Sequence, residues 1–239
     1  MPWLNELLEN PARDSTSGRA DALHDALDAS DISPVFSARL AGRLGRSWAC
    51  AEDLVIQLDR CITAVHEGDK EEVLVTLVRG RDSGSAFRRE IRGVLETWHA
   101  LEETSPDLLE SDAPANQPVL TAVRHDLRSS VEERIAGGDV RSGLVKIGCP
   151  DEIAYRFAED LHDLFHELAA FLSYVQQLAS GPHDPAECRD LLYKIVEPWD
   201  PRLVSHGAWH LGFFEDDDQG LYRPGILGWS LAIMDYLHE

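Results

Sequence analysis

Apolar residues recur at helical spacing along most of the chain, and the pattern is clearest at 150–179. There the apolar positions from Ile153 to Val175 fall within about 120° on a helical wheel at about 100° per residue, which predicts an amphipathic helix. The same period, together with prolines at helix starts, predicts further helices over 2–9, 19–29, 34–66, 85–103, 118–136 and 185–195. A kink is expected near Gly45 in the helix at 34–66.

Two stretches leave the type of element open. The β-branched run at 71–79 favours a strand, whereas its flanks favour a helix. The last stretch, ILGWSLAIMDYLHE at 226–239, fits either a final helix or a short strand that passes into one. Between 197 and 225 the chain is rich in Gly, Pro and aromatic residues and shows no helical period. We therefore expect this part to form an irregular cap packed on the helices.

These elements predict a mainly α fold. We expect a bundle of about six or seven helices over residues 1–196, with an irregular, aromatic-rich C-terminal segment over 197–239 packed on it. A short β element in that segment is left open. A chain of 239 residues is long enough for one substantial core, so the two parts are expected to form one domain.

The charge balance narrows the classes of partner. The chain has 43 acidic and 22 basic residues, a net charge of −21, which repels nucleic-acid phosphates and anionic membranes. A protein partner with a basic surface suits this charge better. The start lacks a signal-peptide pattern, no apolar run approaches the roughly 18 residues of a membrane span, and the four cysteines form no CxxC pair. We therefore expect a cytoplasmic protein that binds neither nucleic acid nor membranes.

Metal-binding side chains recur at helical spacing on two predicted helices. Glu159, His162 and His166 follow one another on the strongest helix, and Glu96 and His99 repeat the Glu-x-x-His spacing on another. Paired motifs of this kind, joined by acids from further helices, hold the two metal ions of ferritin-like bundles. Both rows, however, point away from the apolar face of their helix, which favours a solvated face. The rows become a site only if another element packs on that side.

Other candidate sites are weaker. His206 and His210 lie four residues apart, but zinc requires two further ligands, so structural or partly exposed histidines are favoured. The acidic run at 215–218 lacks the glycine and glutamate positions of an EF-hand loop and is better interpreted as a solvated turn. The chain contains neither a Gly-x-Ser-x-Gly elbow nor a phosphate-binding glycine loop.

One short motif is similar to a known family. The sequence EPWDP at 197–201, with Arg-Pro at 223–224, resembles the start and end of the small β domain of GrpE nucleotide-exchange factors. Those proteins are also acidic, cytosolic and largely helical, and the resemblance implies a co-chaperone role. It covers about seven residues, the spacing between its halves is shorter than that β domain requires, and the long N-terminal heptad pattern is missing.

The sequence thus favours a non-enzymatic intracellular protein that binds other proteins. An accessory, chaperone-like or regulatory role acting through an acidic surface, with no catalytic residues and no cofactor, is the leading hypothesis. The alternative is a metal-dependent helical enzyme that binds iron, manganese or zinc through Glu96, His99, Glu159, His162 and His166. A GrpE-like co-chaperone is the third hypothesis.

Overall fold

In a computed structural model, the described residues are 16–28, 32–104, 140–181, 183–203, 206–212 and 224–238. These residues contain eight α-helices and no strand, which confirms the mainly α fold. The helices are α1 (Thr16–Asp28), α2 (Pro34–Glu67), α3 (Lys70–Thr104), α4 (Val140–Lys146), α5 (Asp151–Ala179), α6 (Pro185–Val196), α7 (His206–Leu211) and α8 (Gly225–His238). The predicted helices at 2–9 and 118–136 and the acidic run at 215–218 lie outside the described residues.

Helices α2 and α3 form a long antiparallel hairpin. Gly68 ends α2 in the left-handed conformation, with φ of 72°, and the Asp69 carboxylate accepts the Glu72 N–H at the start of α3. The ambiguous stretch at 71–79 is helical, and the predicted helix at 85–103 is the second half of α3. The β-branched residues do not decide the element because burial follows the helical period, as the buried Val73 and Leu77 show.

Glycines allow neighbouring helices to approach α2 closely. Helix α2 continues through Gly45 without a break, and a Cβ atom there would lie 3.3 Å from the Ala20 Cβ of α1. At Gly143 in α4, a Cβ atom would lie 2.4 Å from a side-chain carbon of Val65. The glycine at 45 is therefore explained by the contact with α1.

Helix α5 provides the centre of the core. Its predicted apolar face is confirmed, because Phe157, Leu161, Leu164, Phe165 and Leu168 are all fully buried. Its sides contact α1, α2, α4, α6, α7 and α8. Helix α6 begins as expected from its sequence: the Asp184 side chain accepts the Glu187 N–H at 2.8 Å.

The described parts of the C-terminal segment pack against the bundle. After a 3₁₀ turn at Glu197–Trp199, the chain forms α7 and α8. The Trp199 indole is fully buried and meets Phe87 and Phe171 edge to face, with ring centroids 4.9 and 6.3 Å away. The segment was expected to be irregular, and within it α7 is a short helix whose six residues are too few to show a period in the sequence. Among the described residues, no helix has the length and apolar character needed to cross a membrane.

Candidate functional site

The predicted metal-ligand row on α5 lies on a half-buried side of the helix. Glu159 accepts hydrogen bonds from Tyr155 and Arg156 on the same helix, at 3.4 and 3.3 Å. The Nδ1 atom of His162 lies 3.0 Å from the Asp163 carboxylate, and the rings of His162 and His166 are 5.5 Å apart. The visible partners of Glu159 and His162 are therefore neighbours on α5.

The second predicted motif, Glu96 and His99, has contacts that do not involve the row on α5. The Nε2 atom of His99 lies 2.9 Å from Asp200, a buried carboxylate in the C-terminal segment, and Glu96 is exposed. Within the part of the chain that the structure describes, no three His, Cys, Asp or Glu side chains form a group that could hold a metal ion. The metal-dependent enzyme stays a prediction that metal analysis can test.

A buried carboxylate beside the predicted row anchors both C-terminal helices. Asp160 is buried in α5; its Oδ1 lies 2.8 Å from Nδ1 of His210 in α7, and its Oδ2 accepts the Trp229 Nε1–H of α8 at 2.7 Å. An ionised carboxylate at this position requires the His210 Nδ1 to carry a proton. We call Asp160, His210 and Trp229 the Asp160 cluster. The cluster lies at the edge of the apolar face of α5, which is a different side of the helix from the His/Glu row.

Sequence analysis missed Asp160, although a signal was present. On the helical wheel Asp160 lies about 20° outside the apolar arc of α5, closer to it than the other acids of this helix. For His210 the sequence favours a structural or partly exposed histidine over a zinc ligand, and it does not indicate the pairing with Asp160. The second ring nitrogen of His210 faces the half-exposed carboxylate of Asp163 at 3.4 Å. Both ring nitrogens of His210 therefore face carboxylates.

A second buried carboxylate ties the C-terminal segment to α3. Asp200 accepts the backbone N–H of Arg202 at 2.9 Å and its guanidinium at 2.8 Å, and it also pairs with His99. Burial alone would raise the pKa of Asp200, but the hydrogen bonds from Arg202 and His99 outweigh it and hold this pKa below its usual range. The Arg202 guanidinium also donates a hydrogen bond to the Glu102 carboxylate at 2.9 Å.

Beside this pair, a cleft of about 360 Å³ opens between α3, α6 and the C-terminal segment. Trp98 and Val196 form its floor, and the half-exposed Tyr193 and Leu203 stand at its edge. Burial and the neighbouring carboxylates, first among them Glu197, raise the pKa of the Tyr193 hydroxyl. Tyr193 therefore stays protonated at neutral pH and is available as a hydrogen-bond donor or acceptor rather than as a base.

A third cluster lies between α2 and α3. The buried carboxylate of Glu90 accepts hydrogen bonds from Nε of Arg46 at 2.8 Å and Nη1 of Arg43 at 3.1 Å. Burial opposes ionisation, yet these two arginines hold the pKa of Glu90 below its usual value. A cleft of about 390 Å³ adjoins them. Glu96, one of the predicted metal ligands, also lines this cleft.

The outer side of α8 exposes two large apolar side chains. Leu231 and Tyr236 are 45% and 47% exposed, and Gly228, Trp229 and Ala232 are partly exposed between them. The only carboxylate on this helix is Asp235. The opposite side of α8 packs on α3, α5 and α7. We call this outer side the α8 face.

Comparison of the chain with protein families, with curated proteins and with solved structures found no match.

Proposed function

We propose that this chain is a non-enzymatic intracellular protein that binds other proteins, in an accessory, chaperone-like or regulatory role. The observation that supports this proposal is the α8 face. Helices that are apolar on all sides are normally covered, and apolar patches left on a surface commonly mark interaction sites. The chain has a net charge of −21, whereas α8 has one carboxylate and exposes two large apolar side chains.

The way α8 is held also supports a docking role. The Asp160 cluster fixes Trp229 and α7 to α5, so the α8 face is presented by a helix that is bonded to the core. A face that is already ordered loses less conformational entropy on binding than a flexible segment would. This arrangement favours a partner that docks without refolding the bundle.

The surrounding charge indicates the chemistry of the partner. Asp235 lies on the α8 face, and the half-exposed Asp163 adjoins the Asp160 cluster through His210. The acidic run at 215–218 precedes α8 in the sequence. We infer a partner with an apolar patch and a basic surface, because opposite charge accelerates encounter and the apolar contact supplies the affinity.

The test is affinity capture from the native host with three versions of the full chain. Leu231→Ser/Tyr236→Ser removes the apolar groups of the α8 face, and Val78→Ser/Tyr155→Ser is the matched control at sites 40% and 44% exposed. We expect a basic partner to be retained by the wild type and by the control, lost by the α8 variant, and released as salt rises.

Two results would contradict this proposal. In one, no specific partner is retained, or the same partner is retained by all three versions. In the other, light scattering shows a homodimer that the α8 variant converts to monomer. That result would assign the α8 face to a second copy of the chain instead of a basic partner.

A further inference from the structure

Arginines concentrate in one cleft of this strongly acidic protein. Arg39, Arg43 and Arg46 line the 390 Å³ cleft between the first half of α2 and the second half of α3. Their i, i+4, i+7 spacing places them on one side of α2, along about 10 Å of the helix axis. One carboxylate, the exposed Glu96, lines the cleft, and a second, the buried Glu90, is bonded to Arg43 and Arg46. It thus has more positive than negative groups, although the whole chain has the opposite balance.

The buried Glu90 orients two of these arginines. Its Oε2 atom accepts from both Arg43 and Arg46, so their guanidinium groups are held in place before any ligand arrives. Each hydrogen bond uses one guanidinium nitrogen, and a guanidinium has five N–H donors. Both side chains are also 40% or more exposed, so their remaining donors are accessible from the cleft.

A glycine provides the space for this arrangement. A Cβ atom at Gly93 would lie 2.8 Å from Nε and 2.9 Å from Cζ of Arg43. Arg43 can therefore lie across α3 only because this position has no side chain. The rest of the wall includes the partly buried Phe36 together with Ala100, which supply an apolar contact beside the guanidinium groups.

We propose that this cleft binds a small polyanion with at least two phosphate or carboxylate groups. Planar guanidinium groups bind both kinds of oxyanion through paired N–H donors. Three guanidinium groups spread over about 10 Å suit more than one acid group, and the volume of the cleft lies within the range of small-molecule sites. The cleft is formed by α2 and α3, so this proposal does not depend on the α8 face.

The test is calorimetric titration of the full chain at low ionic strength with pyrophosphate and, separately, with citrate. Pyrophosphate supplies only phosphate groups and citrate only carboxylates, so the two arms identify the preferred group. Arg39→Gln removes an exposed guanidinium that Glu90 does not use. Gly93→Ala displaces Arg43 without changing the net charge. Arg60→Gln, at an exposed position of the same helix, is the control with a matched change of charge.

We expect at least one probe to bind with one-to-one stoichiometry. Arg39→Gln and Gly93→Ala should each weaken that binding about tenfold or more, as expected when a charged hydrogen bond is lost, while Arg60→Gln leaves it unchanged within about twofold. Equal weakening by Arg39→Gln and Arg60→Gln would show only a general charge effect and overturn the proposal. The absence of saturable binding of either probe would overturn it as well. Because Arg39 is exposed, its variant keeps the test decisive even if Gly93→Ala fails to fold.

Discussion

Replacing Asp160 by alanine and by asparagine should destabilise the protein to different extents. Asp160→Ala removes the carboxylate that bonds His210 and Trp229, at 2.8 and 2.7 Å. A hydrogen bond to a charged group contributes about 1.5–3 kcal/mol, and the partly exposed Trp229 recovers some of its share from water. We therefore expect Asp160→Ala to lower the free energy of unfolding by about 3 kcal/mol.

Asparagine at position 160 should cost less, because His210 can change tautomer. The amide oxygen would accept the Trp229 Nε1–H, and the amide nitrogen would donate to Nδ1 of His210. The imidazole proton would then move to Nε2, which faces the Asp163 carboxylate 3.4 Å away. All three groups keep a partner, and only the charge of one acceptor is lost. We expect Asp160→Asn to cost about 1 kcal/mol.

Asp163 supplies the control for this argument. Its side chain is 46% exposed, so Asp163→Ala alone should change the free energy of unfolding by no more than about 0.5 kcal/mol. In the Asp160→Asn background the same change removes the acceptor that the new tautomer of His210 requires. The double variant should therefore cost about 1 kcal/mol more than the sum of the single variants.

The assay is urea denaturation at constant salt and neutral pH, followed by circular dichroism of the helices. Two outcomes would refute the reasoning. If Asp160→Asn costs as much as Asp160→Ala, the tautomer exchange does not occur. If Asp160→Ala costs less than about 1 kcal/mol, the carboxylate does not anchor the C-terminal helices.

Three further predictions follow from buried or paired groups. Asp200 has a lowered pKa, so its contribution to stability is complete above an unfolded pKa of about 3.9 and is lost as pH falls through the lower folded value; the stability difference between wild type and Asp200→Asn should shrink between about pH 5 and 3 in urea titrations. Trp199→Ala should cost about 3–5 kcal/mol in the same assay, and Trp199→Phe clearly less, because the buried indole N–H has no hydrogen-bond partner among the residues that the structure describes. Elemental analysis should find no stoichiometric iron, manganese or zinc; a metal present at one or more equivalents and lost in His162→Ala would establish the metal-dependent enzyme instead.

The sequence predicts helices well where burial follows a period. The face of α5 from Phe157 to Val175 and the start of α6 at Pro185 need only local information, namely spacing and capping. The stretch at 71–79 could not be decided, because its β-branched residues and its flanks conflict until the contact with α2 is known. Helix α7 was missed because six residues do not complete two turns.

The polar clusters could not be predicted for a different reason. Asp160 pairs with groups 50 and 69 residues later in the chain, and His99 pairs with Asp200, 101 residues away. No local spacing encodes such partners, whereas Glu-x-x-His is local and therefore visible. The Glu-x-x-His motif therefore indicated Glu159 as a site residue, although the neighbouring Asp160 makes the long-range hydrogen bonds.

The long-range bonds of Asp160 change how the edge of the apolar face of α5 should be interpreted. A wheel divides a helix into one buried and one solvated side, and that division assumes that a single core covers it. Helix α5 is covered twice, by the main bundle and by α7 and α8, and the second cover is attached through one carboxylate. An acid at the edge of an apolar arc is then a better indicator of a buried polar contact than a row of ligands in the middle of the polar side.

Glu90 meets the same criterion. It comes immediately before Ile91 on the buried side of α3, and its carboxylate is buried and paired with arginines from another helix. Asp160 and Glu90 each bond to side chains of helices that are distant in the sequence. Substitutions at these two positions should therefore affect the α8 face and the arginine cleft more than substitutions within the His/Glu rows.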